Sequence, residues 1–354
     1  MLTSLRLQNF RCFAALSLEA PAQGMILTGD NAHGKTSILE AICTLVRLHS
    51  PRTHRLPTMA KFGTPGFGIV GNPWDSERRV LLQPDNSLEL HADGDLRPSR
   101  TAYLADGGLI VWIGNEDLEL VRGPGEIRRH YLDFIGTQID PAYRRAWSRY
   151  RRALRAKNVL LKESSPPIAE IISYEEILAE HGSYLMQTRA RLIDALAPLA
   201  ARAQSTISGK DETLALAYVP ASGADLRTSM LQARTRELRL RQAVVGPHRD
   251  DLSLRIHGMP AAEFASEGQQ RTLALALKLA QGELLAAEGR RAPIYLMDDI
   301  FGELDPARRN ALMNHLPPGS QKWITTTHLD WLKDTPILEE FLKVRVENGA
   351  IRNW

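Results

Sequence analysis

The stretch that most constrains this chain is Gly29-Asp30-Asn31-Ala32-His33-Gly34-Lys35-Thr36. It has the form G-x-x-x-x-G-K-[ST] and follows the apolar run Met25-Ile26-Leu27-Thr28. It leads into Ser37 to Leu48, where Leu39, Ile42 and Val46 recur at helical spacing. Strand, glycine-rich turn and helix is the setting in which backbone N–H groups and a helix N-terminus converge on an anion. The expectation is an α/β fold in which Gly29 through Thr36 cradle the phosphates of a nucleotide, ATP. Lys35 would neutralise the β- and γ-phosphates, and the Thr36 hydroxyl would ligate Mg²⁺.

Downstream, Ile294-Tyr295-Leu296-Met297 reads as a buried parallel strand ending in Asp298-Asp299. Carboxylates at the C-terminal edge of such a sheet face the crevice where ligands bind. Asp298 is the candidate for holding Mg²⁺ through water, and Asp299 for orienting or deprotonating an attacking water. Ser266-Glu267-Gly268-Gln269-Gln270 precedes Leu273, Ala276, Leu277, Ala280 and Leu284 at three-to-four spacing. Ser266 with Gln269 three residues on fits a capping box. It fits equally a helix start that reaches a γ-phosphate from another subunit. Gly302-Glu303-Leu304-Asp305 follows the aspartates, and Trp323 to Thr327 forms another strand ending in His328, placed to donate to that phosphate.

Composition sets the remaining bounds. At 354 residues and 44% hydrophobic content the chain can bury a large core, and 24% charged residues argue against wholesale disorder. The only cysteines, Cys12 and Cys43, lack CxxC or His spacing, which gives no disulfide framework and no zinc site. The first residues do not read as a signal peptide, and no apolar run approaches the roughly 20 residues of a membrane span, so the expectation is a cytoplasmic protein without a membrane partner. Net charge is +3, but it is segregated: Arg122 to Lys162 holds eleven Lys/Arg against three acids, and Arg227 to Arg241 five Arg against Glu237. Asp140-Pro141 is a good helix start. In the helix that follows, Tyr143, Ala146, Trp147, Tyr150, Ala153 and Leu154 share the apolar face, and Arg144, Arg145, Arg149, Arg152 and Arg155 share the basic one. That face is the candidate contact for DNA phosphates, without sequence readout. A second helix carries Ile177 to Leu196, with Pro198 interrupting it, and a third covers about Leu226 to Arg241.

The order of these motifs resembles the ABC/SMC group of DNA-associated ATPases, and Leu5-Arg6-Leu7-Gln8-Asn9-Phe10-Arg11 is similar to that group's first strand. Glu116 to Gly123, Arg128 to Asp133, Leu279 to Glu283 and above all Gly246-Pro247-His248-Arg249-Asp250-Asp251-Leu252 narrow the resemblance to the RecF family of bacterial replication and repair proteins. The resemblance covers most of the chain; residues 50–100 and 163–225 contribute little to it. It implies an ABC-type P-loop ATPase head with a β-rich subdomain and an inserted, mostly helical lobe. The first half of the head would be 1–110, the lobe 111–245 and the second half 246–354. It further implies an ATP-dependent homodimer in which Ser266, Gly268 and Gln269 of each copy complete the other's site. Asp299 and His328 would serve slow hydrolysis. Implied partners are single-stranded or gapped DNA and RecR- and RecO-like proteins. An ATPase subunit of a transporter or of a nuclease-paired defence system would share the head motifs. The family usually has glycine at position 32, so the Cβ of Ala32 restricts a loop that glycine would take freely. His33 stands where a small or polar residue is usual, and it either adds a donor or faces solvent. Ile113-Gly114-Asn115 replaces a usual Phe-Ser-Pro.

Overall fold

The computed structural model describes residues 1–353 apart from positions 54, 106, 211, 224 and 290. In chain order the first elements are β1 (Leu2–Phe10), β2 (Phe13–Glu19), β3 (Gly24–Thr28), α1 (Lys35–Arg47), β4 (Phe67–Pro73), β5 (Arg78–Leu82), β6 (Leu88–Ala92), β7 (Asp95–Leu96), α2 (Arg100–Ala105) and β8 (Ile110–Gly114). Next come α3 (Glu119–Arg122), α4 (Gly125–Ile139), α5 (Pro141–Leu160), α6 (Ile168–Ser208), β9 (Leu214–Val219), α7 (Leu226–Leu240), β10 (Asp251–Ile256), β11 (Met259–Pro260) and α8 (Ala261–Phe264). The last are α9 (Glu267–Glu288), β12 (Ile294–Asp298), α10 (Pro306–His315), β13 (Gln321–Thr326), β14 (Leu342–Glu347) and β15 (Ala350–Asn353). The chain divides into two units, Met1–Asp117 with Lys278–Trp354, and Leu118–Leu277. No helix among the described residues is long and apolar enough to cross a membrane.

In the first unit one sheet runs β15-β14-β3-β13-β12-β8, all parallel except β15. A second, antiparallel sheet runs β2-β1-β4-β5-β6-β7. Helix α1 packs against strands of both sheets. That placement explains its sequence: Ile38, Leu39, Ala41, Ile42, Cys43, Leu45 and Val46 are all fully buried between the sheets, and the buried Glu40 among them is paired with Arg11. All five residues of β3 are likewise buried, as a parallel strand covered on both faces requires. The C-terminal ends of β3, β12 and β13 therefore come together at one sheet edge.

The unit boundaries differ from the expected 111 and 246. Ile110 to Gly114 pairs in parallel with Ile294 to Asp298, so this run is a head strand and not the start of the lobe. At the other end β10 pairs with β9 along Asp251 to Ile256, which keeps those residues with the lobe.

In the second unit α5 lies along α6, and Tyr143, Tyr150, Ala153, Leu178, Leu185, Leu226 and Met230 form the core. Asp140 caps α5 as read from the sequence, its carboxylate accepting from the Ala142 N–H at 2.7 Å. Pro198 does not interrupt α6, which runs 41 residues through it. An interior proline costs about 3 kcal/mol, but Leu192, Ile193, Leu196, Ala200 and Ala203 are buried on both sides of it, and their packing carries the helix across.

The stretch Gly246–Leu252 closes a buried polar network. Arg189, 3% exposed, donates to Asp133 Oδ1 at 2.7 Å and to the Pro247 carbonyl at 2.6 Å. Tyr218 donates to Asp250, whose other oxygen accepts from the Ala221 N–H. Arg128 grips Asp251 with two bonds of 2.7 and 2.8 Å. His248 Nδ1 lies 2.7 Å from the Tyr150 hydroxyl and Nε2 3.3 Å from the Ala243 carbonyl, an arrangement that suits a neutral ring accepting at Nδ1 and donating at Nε2. Burial pushes its pKa down to about 4. The unfolded ring takes up a proton near pH 6.5 and the folded one only near 4, so stability is flat above about pH 7 and is lost as pH falls through that window. The loss reaches at most about 3 kcal/mol. Urea unfolding midpoints at pH 7 and pH 5 should drop for the wild type and much less for His248→Gln; equal drops would place the acid sensitivity elsewhere.

Candidate nucleotide-binding site

The turn after β3 is built for close backbone approach. Gly29 has φ +144° and Gly34 φ +108°, and a Cβ on Gly34 would lie 2.6 Å from Cys12 Sγ and 2.8 Å from the Phe13 ring. Ala32 adopts φ +66°, the left-handed conformation that glycine takes freely, so its Cβ carries a cost of about 1 kcal/mol. His33 is partly exposed, and its side chain does not line the cleft.

A cleft of about 290 Å³ opens over this turn, walled by Asn31, Ala32 and Gly34–Ser37 on one side and by Asp298, Asp299 and Thr325 on the other, with Cys12 and Arg52 also lining it. Lys35 is 6% exposed and donates to the carbonyls of Gly29 at 2.7 Å and Asp30 at 2.8 Å. It forms no salt bridge with any described carboxylate. Burial pushes its pKa down, while Asp299, Asp298 and Asp30 push it back up. A buried cation satisfied only by neutral carbonyls is ready for a stronger anionic acceptor.

Asp298 Oδ1 accepts from Thr36 Oγ1 at 2.8 Å and from Thr325 Oγ1 at 2.7 Å. Burial pushes the Asp298 pKa up; the two hydroxyls pull it down. A hydroxyl and a poorly neutralised carboxylate side by side form the hard-oxygen donor set that suits Mg²⁺. Among the described residues no group of three or more His, Cys, Asp or Glu side chains could hold a metal, so phosphate and water would supply the remaining ligands. The next residue, Asp299, has φ +53°, and its N–H donates to the Thr325 carbonyl at 3.2 Å and Thr325 Oγ1 at 3.0 Å. The chain thus turns sharply after β12, a strained conformation of the kind found at working sites.

Other predicted residues lie off this cleft. His328 is exposed and does not line it; its ring sits against Gly302, where an added Cβ would come within 3.5 Å of Nε2. In the second unit, Gln269 Oε1 accepts from the Ser266 N–H at 2.9 Å and the Gln269 N–H donates to Ser266 Oγ at 3.3 Å. The capping box is therefore formed. The Ser266 O–H itself has no acceptor among the described residues, and Ser266 is exposed.

The basic face of α5 also divides. Arg144 is 7% exposed and its guanidinium is spent on the Thr137 carbonyl at 2.6 and 3.1 Å, which removes it from the candidate DNA contacts. Lys157 is buried between Glu175 and Glu237. Arg145, Arg149, Arg152 and Arg155 are exposed and form no salt bridge with a described carboxylate.

Sequence reading missed Thr325 and Arg52. Thr325 was signalled by the threonines that follow Trp323 and Ile324 at the C-terminal end of β13. Arg52, half exposed, reaches within 3.8 Å of Glu40, the fully buried acid of α1 that also takes two bonds from Arg11; nothing in its local pattern marked it.

A glycine turn after a central parallel strand, with acids at the end of a neighbouring strand, defines a P-loop ATPase head of the ABC type. The comparisons agree. An AAA domain family model matches residues 4–55. The DNA replication and repair protein RecF of Synechococcus sp. (strain JA-2-3B'a(2-13)) is 37% identical over 363 residues, 96% of this chain and 95% of the relative. RecF of Gloeobacter violaceus is 37% identical over 369 residues, 99% and 98% of the two chains. The solved structure described as the recombination mediator protein RecF-ATP in the RecFOR pathway superposes with a TM-score of 0.90 at 26% identity, covering 100% of this chain and 97% of that one. An Smc head bound to the C-winged helix domain of ScpA shares the fold at a TM-score of 0.55 and 15% identity, with 99% and 96% covered. The chain belongs to the RecF family.

Proposed function

We propose that this chain is a cytoplasmic, ATP-driven DNA-repair protein that acts at single-stranded or gapped DNA and promotes recombinase loading. Two copies close on two MgATP molecules, each held by one chain's Gly29–Thr36 and sealed by Ser266, Gly268 and Gln269 of the other. The observation that carries the reading is the buried Lys35 beside the Thr36–Asp298 pair, a cation awaiting phosphate next to a donor set for Mg²⁺. Mg²⁺ bound at Thr36 and Asp298 would offset charge on the phosphates. Asp299, at the strand end beyond them, holds the attacking water, and the free Ser266 O–H donates to the γ-phosphate from the partner copy. His328, off the cleft, contributes once the partner has closed. Slow hydrolysis then resets the dimer.

The transporter and nuclease-paired alternatives share the loop and the aspartates, but near full-length similarity to RecF relatives favours repair. RecR- and RecO-like partners fit the RecFOR pathway named for the solved relatives. DNA meets the exposed Arg145, Arg149, Arg152 and Arg155, which follow one another at helical spacing along α5. Changing Arg145, Arg149 and Arg152 together to alanine should flatten the dependence of log affinity on log salt by about three units. An unchanged slope would assign this face to solvent or to a protein.

A further inference from the structure

Gln269, at the start of α9, is held by a side chain outside the sequence motifs. Glu212 lies in the loop between α6 and β9 and is 8% exposed. Its Oε2 accepts from Gln204 Nε2 at 2.6 Å, and its Oε1 accepts from Gln269 Nε2 at 3.1 Å. Gln204, on the last turns of α6, is fully buried. Gln269 is the residue whose Oε1 receives the Ser266 N–H.

A glutamine amide can present either end to a neighbour, and shape alone does not decide which. A carboxylate can only accept. Glu212 therefore compels Gln269 to turn its NH₂ inward, and that leaves Oε1 as the end that reaches the Ser266 N–H. With its N–H taken and its Oγ accepting from the Gln269 N–H, Ser266 keeps its O–H proton for an outside acceptor. Without Glu212 only the Ser266 N–H orders the amide, so a flip that sets NH₂ against that N–H and opens the capping box forfeits one hydrogen bond instead of two.

We infer that Glu212 is a positioning residue for the trans half of the nucleotide site: it locks the Gln269 amide so that the Ser266 helix start meets the partner's γ-phosphate already formed. The inference rests on the proposed exchange of Ser266 and Gln269 between copies. It concerns association of two loaded copies and leaves each copy's own grip on ATP untouched.

The test compares the full-length wild type with Glu212→Ala, Glu212→Gln, Gln269→Ala and Ser266→Ala. Two readouts are taken: ATP affinity under dilute, monomeric conditions, and the MgATP-dependent dimer dissociation constant by sedimentation. A hydrogen bond to a charged group is lost at each of two sites, so Glu212→Ala should weaken dimerisation about 100-fold while monomer ATP affinity stays near wild type; the thermal midpoint falls by what unpairing the buried Gln204 amide costs. Glu212→Gln should restore dimerisation to within about threefold. Its amide oxygen takes the Gln269 NH₂, and its own NH₂ is taken by Gln204 Oε1 after that amide turns over; this oxygen has no partner in the present arrangement. If Glu212→Ala does not fold, Glu212→Asp, too short to span both amides, takes its place with the same expected loss. Normal dimerisation of Glu212→Ala alongside impaired Gln269→Ala and Ser266→Ala overturns the inference alone. Normal dimerisation of all three overturns the trans site on which it rests.

Discussion

Replacing Lys35 by alanine is expected to weaken ATP binding about 30- to 5,000-fold and with it to abolish nucleotide-dependent association. The magnitude follows from what the ammonium does. It is 6% exposed and donates to two loop carbonyls at 2.7 and 2.8 Å, and in the proposed function it exchanges these for the β- and γ-phosphates. Removing one partner of a buried, hydrogen-bonded charge pair costs about 2–5 kcal/mol, most of it because the remaining charge is left uncompensated. The fold should survive the change, since the lost bonds reach only two backbone carbonyls of the turn, one of them the exposed Asp30, and α1 is held by its buried apolar residues. Isothermal titration with ATP against thermal unfolding separates the two effects. Unaltered affinity in a folded variant would remove the loop from the account.

Asp299→Asn is expected to slow ATP hydrolysis about 10²- to 10⁴-fold while leaving ATP affinity near wild type, so that dimers persist. Asparagine is chosen for conformation as well as chemistry. Residue 299 has φ +53°, a region that asparagine adopts readily, so the turn held by Thr325 is preserved and only the capacity to take a proton is lost. Phosphate release and dimer lifetime should change together in opposite directions. Normal turnover would move the base to another residue.

Much of this site could be read from the sequence because its parts are local. Gly29 through Thr36 carry their own strand, turn and helix signals, and Asp298-Asp299 closes an apolar run that reads as a buried strand. The Asp140 cap of α5 and the Ser266–Gln269 box were legible for the same reason, since each is decided within four residues. What escaped depends on chain segments far apart in sequence. The packing of Leu192 to Ala203 carries α6 through Pro198, although the local signal alone reads as a break. Arg144 falls on the basic side of a helical wheel, yet the Thr137 carbonyl, from the end of α4, draws its guanidinium inward. Ile110 to Gly114 belongs to the head because Ile294 to Asp298 lies beside it, and no property of the segment itself says so. Glu212 is the sharpest instance. In sequence it is one acid of a polar loop, and only its meeting with Gln204 and Gln269 gives it a role.

The central claim is that two chains share each triphosphate, and sedimentation velocity of the full chain in saturating MgATP, in MgADP and without nucleotide, each with and without gapped DNA, tests it most directly. A dimer that forms in MgATP and returns to monomer in MgADP or without nucleotide is the expected result. A chain that remains monomeric in saturating MgATP, whichever DNA is supplied, would contradict it.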